Sequence, residues 1–223
     1  MKTRFILLCV LIFFVFTEIN AQEKKVALGL GISPTVNWMK TKSEGLTSDG
    51  SKIGFKYGLM ADFNFGENYA LATGIFINNS GGKIQALEVI DSLEKSVSYN
   101  IKLQSIEIPL TLKMKTKEIG YLKYYGQFGF SPQLIINSSA DIEVDGQEKK
   151  KNVDMQNRIA DLDLALVLGI GIEYNVSGTT NLVIGVSYQN GFIDMLQGSA
   201  DGFNEVEKKA STNQIALNLA VLF

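Results

Sequence analysis

Apolar residues recur at every second position through nearly the whole chain, and no other feature limits the fold so strongly. In residues 161–174 the even positions read Leu, Leu, Leu, Leu, Ile, Ile, Tyr, and the odd ones read Asp, Asp, Ala, Val, Gly, Gly, Glu. A period of two belongs to a strand with two unlike faces, not to a helix. The same alternation runs through Val26–Trp38, Ile53–Phe65, Tyr69–Ile77, Ile106–Met114, Leu122–Ile136, Leu182–Tyr188 and Ile215–Phe223. These eight segments predict eight strands, most of 9 to 14 residues. Strands in globular proteins centre on about 5–6 residues, whereas a tilted strand crossing a bilayer takes about 9–11. The fourth strand is expected to begin near Val97, with its phase slipping at Gln104–Ile106 as a β-bulge would make it slip. Residues 82–91 fit either the upper part of a tall hairpin or a short helix.

The connections alternate between short and long. Gly66-Glu67-Asn68, Lys115 to Gly120 and Asn175 to Thr180 are short turns, and the other connections run to about 14–24 residues. This asymmetry predicts an all-β fold, an eight-stranded antiparallel up-and-down transmembrane β-barrel. Two barrels share such alternation: a soluble one with the apolar row inside, and a membrane one with that row outside. The second row is rich in Gly and Ala as well as charge, which suits the crowded interior of a small barrel. Aromatic residues fall on the apolar row near strand ends. Phe65, Tyr69, Tyr124, Tyr174 and Phe223 lie on the short-turn side, and Trp38, Phe55 and Tyr188 on the other. Two such girdles around an aliphatic band match the two interfaces of a bilayer. Closure then satisfies every backbone group without water.

The N-terminus fits export. Lys2 and Arg4 precede twelve apolar residues, Phe5–Phe16, followed by Thr17 to Gln22. This is the layout of a signal peptide over residues 1–21, cleaved after Ala21, leaving 22–223 as an outer-membrane barrel domain. Cys9, the single cysteine, lies in the apolar run, so no disulfide is expected in the mature chain.

Parity places Lys56, Asp62, Glu107, Lys113, Lys123, Asp161, Asp163, Glu173, Gln127 and Asn218 in the lumen. Eight strands leave room for side chains rather than for a channel, so a buried network of ion pairs is expected there instead of an ion path. The glycine pairs Gly29/Gly31 and Gly169/Gly171 read as barrel-interior residues, since neither opens a helix as a nucleotide-binding loop would. Asp141, Glu143 and Asp145 begin like a calcium loop, but its twelfth position is Asn152 rather than a bidentate Glu. Val144 to Gln147 reads instead as the turn of an external hairpin. Asp161 and Asp163 suit a salt bridge to a lumen lysine better than a rim cation. Lys149 to Lys151 read as a solvated loop tip that could also touch lipopolysaccharide phosphates.

With a net charge of −2, no basic field points to nucleic acid. The chain has no His, and with no Cys after Ala21 the usual nucleophile–base pairs are missing. No enzyme, cofactor or metal is expected.

Several strands resemble those of the PorT family of eight-stranded outer-membrane barrels of Bacteroidetes-type bacteria. The similar stretches are Ser105-Ile106-Glu107-Ile108-Pro109-Leu110, Tyr125 to Pro132, Leu168 to Tyr174 and Val186 to Phe192, with Asn20-Ala21-Gln22 closing the signal. The resemblance implies an outer-membrane barrel with periplasmic termini and extracellular long loops, and it brings no catalytic residues. The expected role is a membrane anchor whose loops serve interaction or envelope integrity. A narrow channel for ions or small solutes and an accessory part in protein secretion are the alternatives. Expected partners are outer-membrane lipid, lipopolysaccharide, the barrel assembly machinery through Phe223, and an envelope or secretion protein.

Overall fold

The computed structural model describes residues 25–223 except 42, 44, 91–92, 146, 179 and 197–208. The expected signal peptide lies outside the described residues. The strands are β1 (Val26–Thr41), β2 (Leu46–Ser48), β3 (Ser51–Gly66), β4 (Tyr69–Ile90), β5 (Leu93–Glu107), β6 (Leu110–Lys115), β7 (Leu122–Val144), β8 (Gln147–Asp154), β9 (Leu162–Ser177), β10 (Thr180–Gly191) and β11 (Ala210–Leu222). All pair antiparallel. β1 bonds β3 on one side and β11 on the other, and β4 bonds β5, which closes a ring through eight strands. β5 and β6 form one stave. Pro109 interrupts it because proline has no N–H to give the ladder, yet Ile108 still donates to the Pro132 carbonyl at 3.0 Å. β2 and β8 lie off the ring, on β4 and β7.

The apolar row faces outward, as the sequence predicts. Leu162, Leu168, Ile170 and Tyr174 of β9 are exposed, while Asp163, Ala165, Val167 and Glu173 are buried. Both aromatic girdles are in place. Phe65 stacks on Tyr69 and Tyr121 tilts against Tyr174 at one end. At the other end Trp38 stacks on Tyr188 with ring centroids 6.2 Å apart.

The barrel is taller than a bilayer on one side, and there its polarity inverts. Residues 82–90 are strand, not helix: β4 and β5 pair all the way from Phe76↔Glu107 to Ile90↔Leu93. Down the membrane half of β5 and β6 the buried positions are Ser105, Glu107, Thr111 and Lys113. Up the same face they become Val97, Tyr99, Ile101 and Leu103. These pack with Met39, Ile84, Met155, Ile159 and Met195 into an apolar core above the polar lumen. In water the apolar side must be inside; in hydrocarbon it must be outside.

The expected bulge is real, but its extra residue is on the other strand. The β5–β7 register shifts between Gln104↔Asn137 and Ser105↔Ile135, so Ile136 of β7 has no opposite residue. β5 itself keeps one phase throughout. Its apparent slip in the sequence comes from the change of solvent outside, which swaps the apolar and polar rows without moving the backbone.

A charge placed at mid-height on the outer face should therefore cost far more than one placed above it. Ile170→Arg is expected to lower folding stability by about 2–4 kcal/mol. Leu87→Arg, on the tall hairpin, should stay within about 0.5 kcal/mol. Urea titration of protein folded into lipid vesicles measures both.

Candidate functional site

The polar row of the membrane half converges on the barrel axis in two tiers. In the tier nearer the short turns, β6 carries Lys113, β3 carries Asp62 and β9 carries Glu173. Lys113 Nζ pairs with Asp62 Oδ2 at 2.8 Å and with Glu173. Lys115 Nζ approaches the same two carboxylates at 3.5 and 3.4 Å. The Tyr125 ring lies 4.6 Å from the Lys113 ammonium, a cation–π contact. Tyr125 fits because the neighbouring strands carry glycine: a Cβ on Gly171 would sit 2.6 Å from the ring. The Gly169/Gly171 pair is thus barrel interior, as expected.

The second tier centres on Glu107. Lys56 Nζ lies 3.2 Å from Glu107 Oε1, and Ser131 Oγ and Gln189 Nε2 donate to the same oxygen at 2.9 and 2.7 Å. Asn78 Nδ2 donates to Glu107 Oε2 at 3.2 Å and to Gln214 Oε1 at 3.0 Å. Phe76 faces inward beneath Lys56, 5.6 Å from its ammonium. Glu107 and Asp62 are both fully buried, so their charges depend on these partners. Between the tiers lies a cavity of about 80 Å³, bordered by Gln127, Tyr125 and Asn218, room for a few waters. Side chains fill the lumen at both tiers, and the apolar core covers the upper one.

Six of the predicted lumen charges are brought together or buried here: Lys56, Asp62, Glu107, Lys113, Asp163 and Glu173. Gln127 and Asn218 border the cavity. Two are misplaced. Lys123 sits at the rim, 3.8 Å from Glu118, and Asp161 is exposed just before β9. Lys123 is the second residue of β7 and Asp161 precedes β9, so both lie at the barrel's mouths, where parity no longer implies burial. Asp163 is held by the Thr212 hydroxyl at 2.5 Å and the Leu164 N–H at 2.8 Å, not by the expected lysine. The sequence places Lys115 in a turn, whereas β6 runs through it and carries its side chain into the lumen tier. Ser131, Asn78, Gln189 and Gln214 carry no charge to draw attention; the parity of Ser131 is legible, whereas the other three lie one residue beyond the predicted strand segments.

Above the membrane half, Val144 pairs with Gln147 and Asp145 has φ +50°, so the predicted hairpin turn is present. Two of the calcium-loop residues are committed elsewhere, and Asp145 accepts from the Ser96 N–H at 3.2 Å. Asp141 lies 2.7 Å from Lys102 and accepts from the Asn152 N–H at 2.9 Å. The Lys102 hydrogen bond, then the Asn152 N–H, hold its carboxyl below the ordinary range. Among the described residues no three metal-ligating side chains cluster. Lys150 and Lys151 are exposed on β8.

The family profile described as outer membrane protein beta-barrel domain matches residues 20–197. The chain belongs to that family. It is an outer-membrane protein. Among solved structures, the outer membrane protease OmpT from Escherichia coli is 5% identical with a TM-score of 0.53, covering 93% of this chain and 99% of that one. Neisserial surface protein A is 14% identical with a TM-score of 0.46, covering 90% and 98%. OprG from Pseudomonas aeruginosa is 13% identical with a TM-score of 0.45, covering 92% and 99%. At such identities the likeness to OmpT speaks for the fold alone. No curated protein sequence matches the chain.

Two outcomes are expected for this family member. Lys113→Met, which leaves buried Asp62 and Glu173 with only the more distant Lys115, should cost about 3–5 kcal/mol, read as a lowered urea midpoint in vesicles. For Asp141 the folded carboxyl is the stronger acid, so its contribution is present above the ordinary value near 4 and lost as pH falls below it. Amide exchange in β8 should accelerate below about pH 4 while exchange in β9 stays slow.

Proposed function

We propose that this barrel is a closed, non-enzymatic outer-membrane anchor that presents its tall β4–β5–β7–β8 wall to the cell exterior for interaction or envelope integrity. The observation that carries this reading is the two-tier lumen: Glu107 and Lys113 are buried among paired partners, and an apolar core sits above them. A solute path would have to break these pairs at each passage. The tall wall, by contrast, is built well beyond the length that crossing a bilayer needs, and its tip exposes Leu87 and Leu93.

In this reading residues 1–21 are the removed signal, the short turns and both termini lie in the periplasm, and Phe223 is the end that the assembly machinery reads. The PorT-like strand motifs support a relation to that branch of the family, and a secretion or envelope protein is the partner class that this reading suggests.

Planar-bilayer recording of refolded protein tests the closed lumen. Silence is expected in wild type, and in Lys113→Ala with Glu107→Ala as well, because the apolar core still covers the lumen. Steady wild-type conductance that responds to the charge at Glu107 would replace the anchor with a channel.

A further inference from the structure

The barrel wall splits at one place on its outer face. Phe55 of β3 is paired with Asn79 of β4, and above this pair the two strands part. Ser51 to Gly54 stay bonded to β1, whereas β4 turns to β2 at residues 84–86 and to β5 along its length. Two successive glycines mark the divergence. Gly81 has φ +147°, a conformation that side chains disfavour, and a Cβ on Gly82 would lie 2.7 Å from Met39. The split leaves a notch of about 520 Å³ bordered by Lys52, Phe55, Asn79, Lys102, Gln104 and Asn137.

Its height matters. Ile53 borders it and Phe55 and Tyr57 follow directly below; all three face outward and are 83%, 42% and 44% exposed. Directly above is the water-exposed wall with its inverted polarity. The notch therefore lies where hydrocarbon gives way to headgroups. Its charge matters as well. Lys102 is matched by Asp141 at 2.7 Å and by the Asn152 side-chain oxygen at 2.9 Å. Lys52 Nζ donates to the main-chain carbonyl of Ile101 at 3.4 Å, and none of the described ion pairs includes it. Two ammonium groups thus face one carboxylate. Gln104 Nε2 donates to Asn79 Oδ1 at 3.0 Å and Asn79 Nδ2 to the Phe55 carbonyl at 3.4 Å, and each amide has a second N–H to give.

We propose that this notch seats the phosphorylated headgroup of an anionic outer-leaflet lipid, with Lys52 as its principal cation and the acyl chains running down over Ile53, Phe55 and Tyr57. The proposal rests on the reading that the tall wall is extracellular. Phosphate complements a pair of cations, Lys52 and Lys102, that share one carboxylate among the described residues, and the lipid's apolar part continues onto the barrel's own apolar band. A soluble anion would use only the upper half of this surface.

The test uses the full chain refolded into phosphatidylcholine vesicles that contain a minor fraction of bis-phosphorylated lipid A. The protein is then extracted in mild detergent, and the retained lipid A is counted by native mass spectrometry. Wild type should retain it in preference to fully dephosphorylated lipid A. Lys52→Gln should lower retention about fivefold and Lys52→Arg should restore it, a step typical of one basic residue at an anionic surface. Lys123→Gln, at the opposite rim beside Glu118, should change nothing. Retention by Lys52→Gln equal to wild type, in protein that still shows a heat-modifiable band, would overturn the proposal. So would displacement of the lipid by millimolar inorganic phosphate, which would make this a free-anion site. Failure to insert at all, with no heat-modifiable band, would overturn the barrel reading itself and is seen before any lipid is counted.

Discussion

Every other property of this molecule depends on the bond ladder between β1 and β11. Eleven registered pairs, from Gly29↔Leu222 to Thr41↔Ala210, join the first strand to the last. Without that seam the sheet would have two edges in hydrocarbon, each with a row of unmet N–H and C=O groups. With it, the wall's outer surface can be wholly apolar, and the polar side chains have only one place left to go. The crowded, charged interior is thus a consequence of closure.

That interior shows how a narrow barrel tolerates ions at zero exposure. Each buried carboxylate meets more than one donor: Asp62 meets Lys113 and Lys115, and Glu107 meets Lys56, Ser131, Gln189 and Asn78. The donors come from different staves, so each tier ties opposite walls together across the axis. Aromatic rings complete the packing, Tyr125 under Lys113 and Phe76 under Lys56. A tier of this kind fixes the register of the staves as firmly as the backbone ladder does, because a one-residue slip would turn its charges toward lipid.

The membrane half was legible in the sequence because lipid imposes one rule on every stave. From Leu162 to Tyr174 the rows could be assigned to outside and inside by parity alone, and six of the lumen charges followed. The upper half was not legible by the same rule. Val97, Tyr99, Ile101 and Leu103 are apolar like Ile106 and Ile108, yet they point inward, and only knowing where the bilayer ends tells the two sets apart. The same gap explains the bulge. Its position near Gln104 was readable, but not that Ile136 on the partner strand supplies the extra residue. Pairing partners among the uncharged residues, such as Gln189 with Glu107, required the three-dimensional ring, since 82 positions separate them.

Ile136 has a consequence of its own. Below it β7 buries its odd positions, Tyr125, Ser131 and Gln133; above it the even ones, Ser138 and Ala140. The unpaired residue works as a phase joint between two storeys built under opposite solvent rules. Each storey can accumulate sequence change without upsetting the alternation of the other, provided the joint keeps its length. Lineages that share the lower storey could in this way carry quite different upper ones, with divergence concentrated above a single fixed seam.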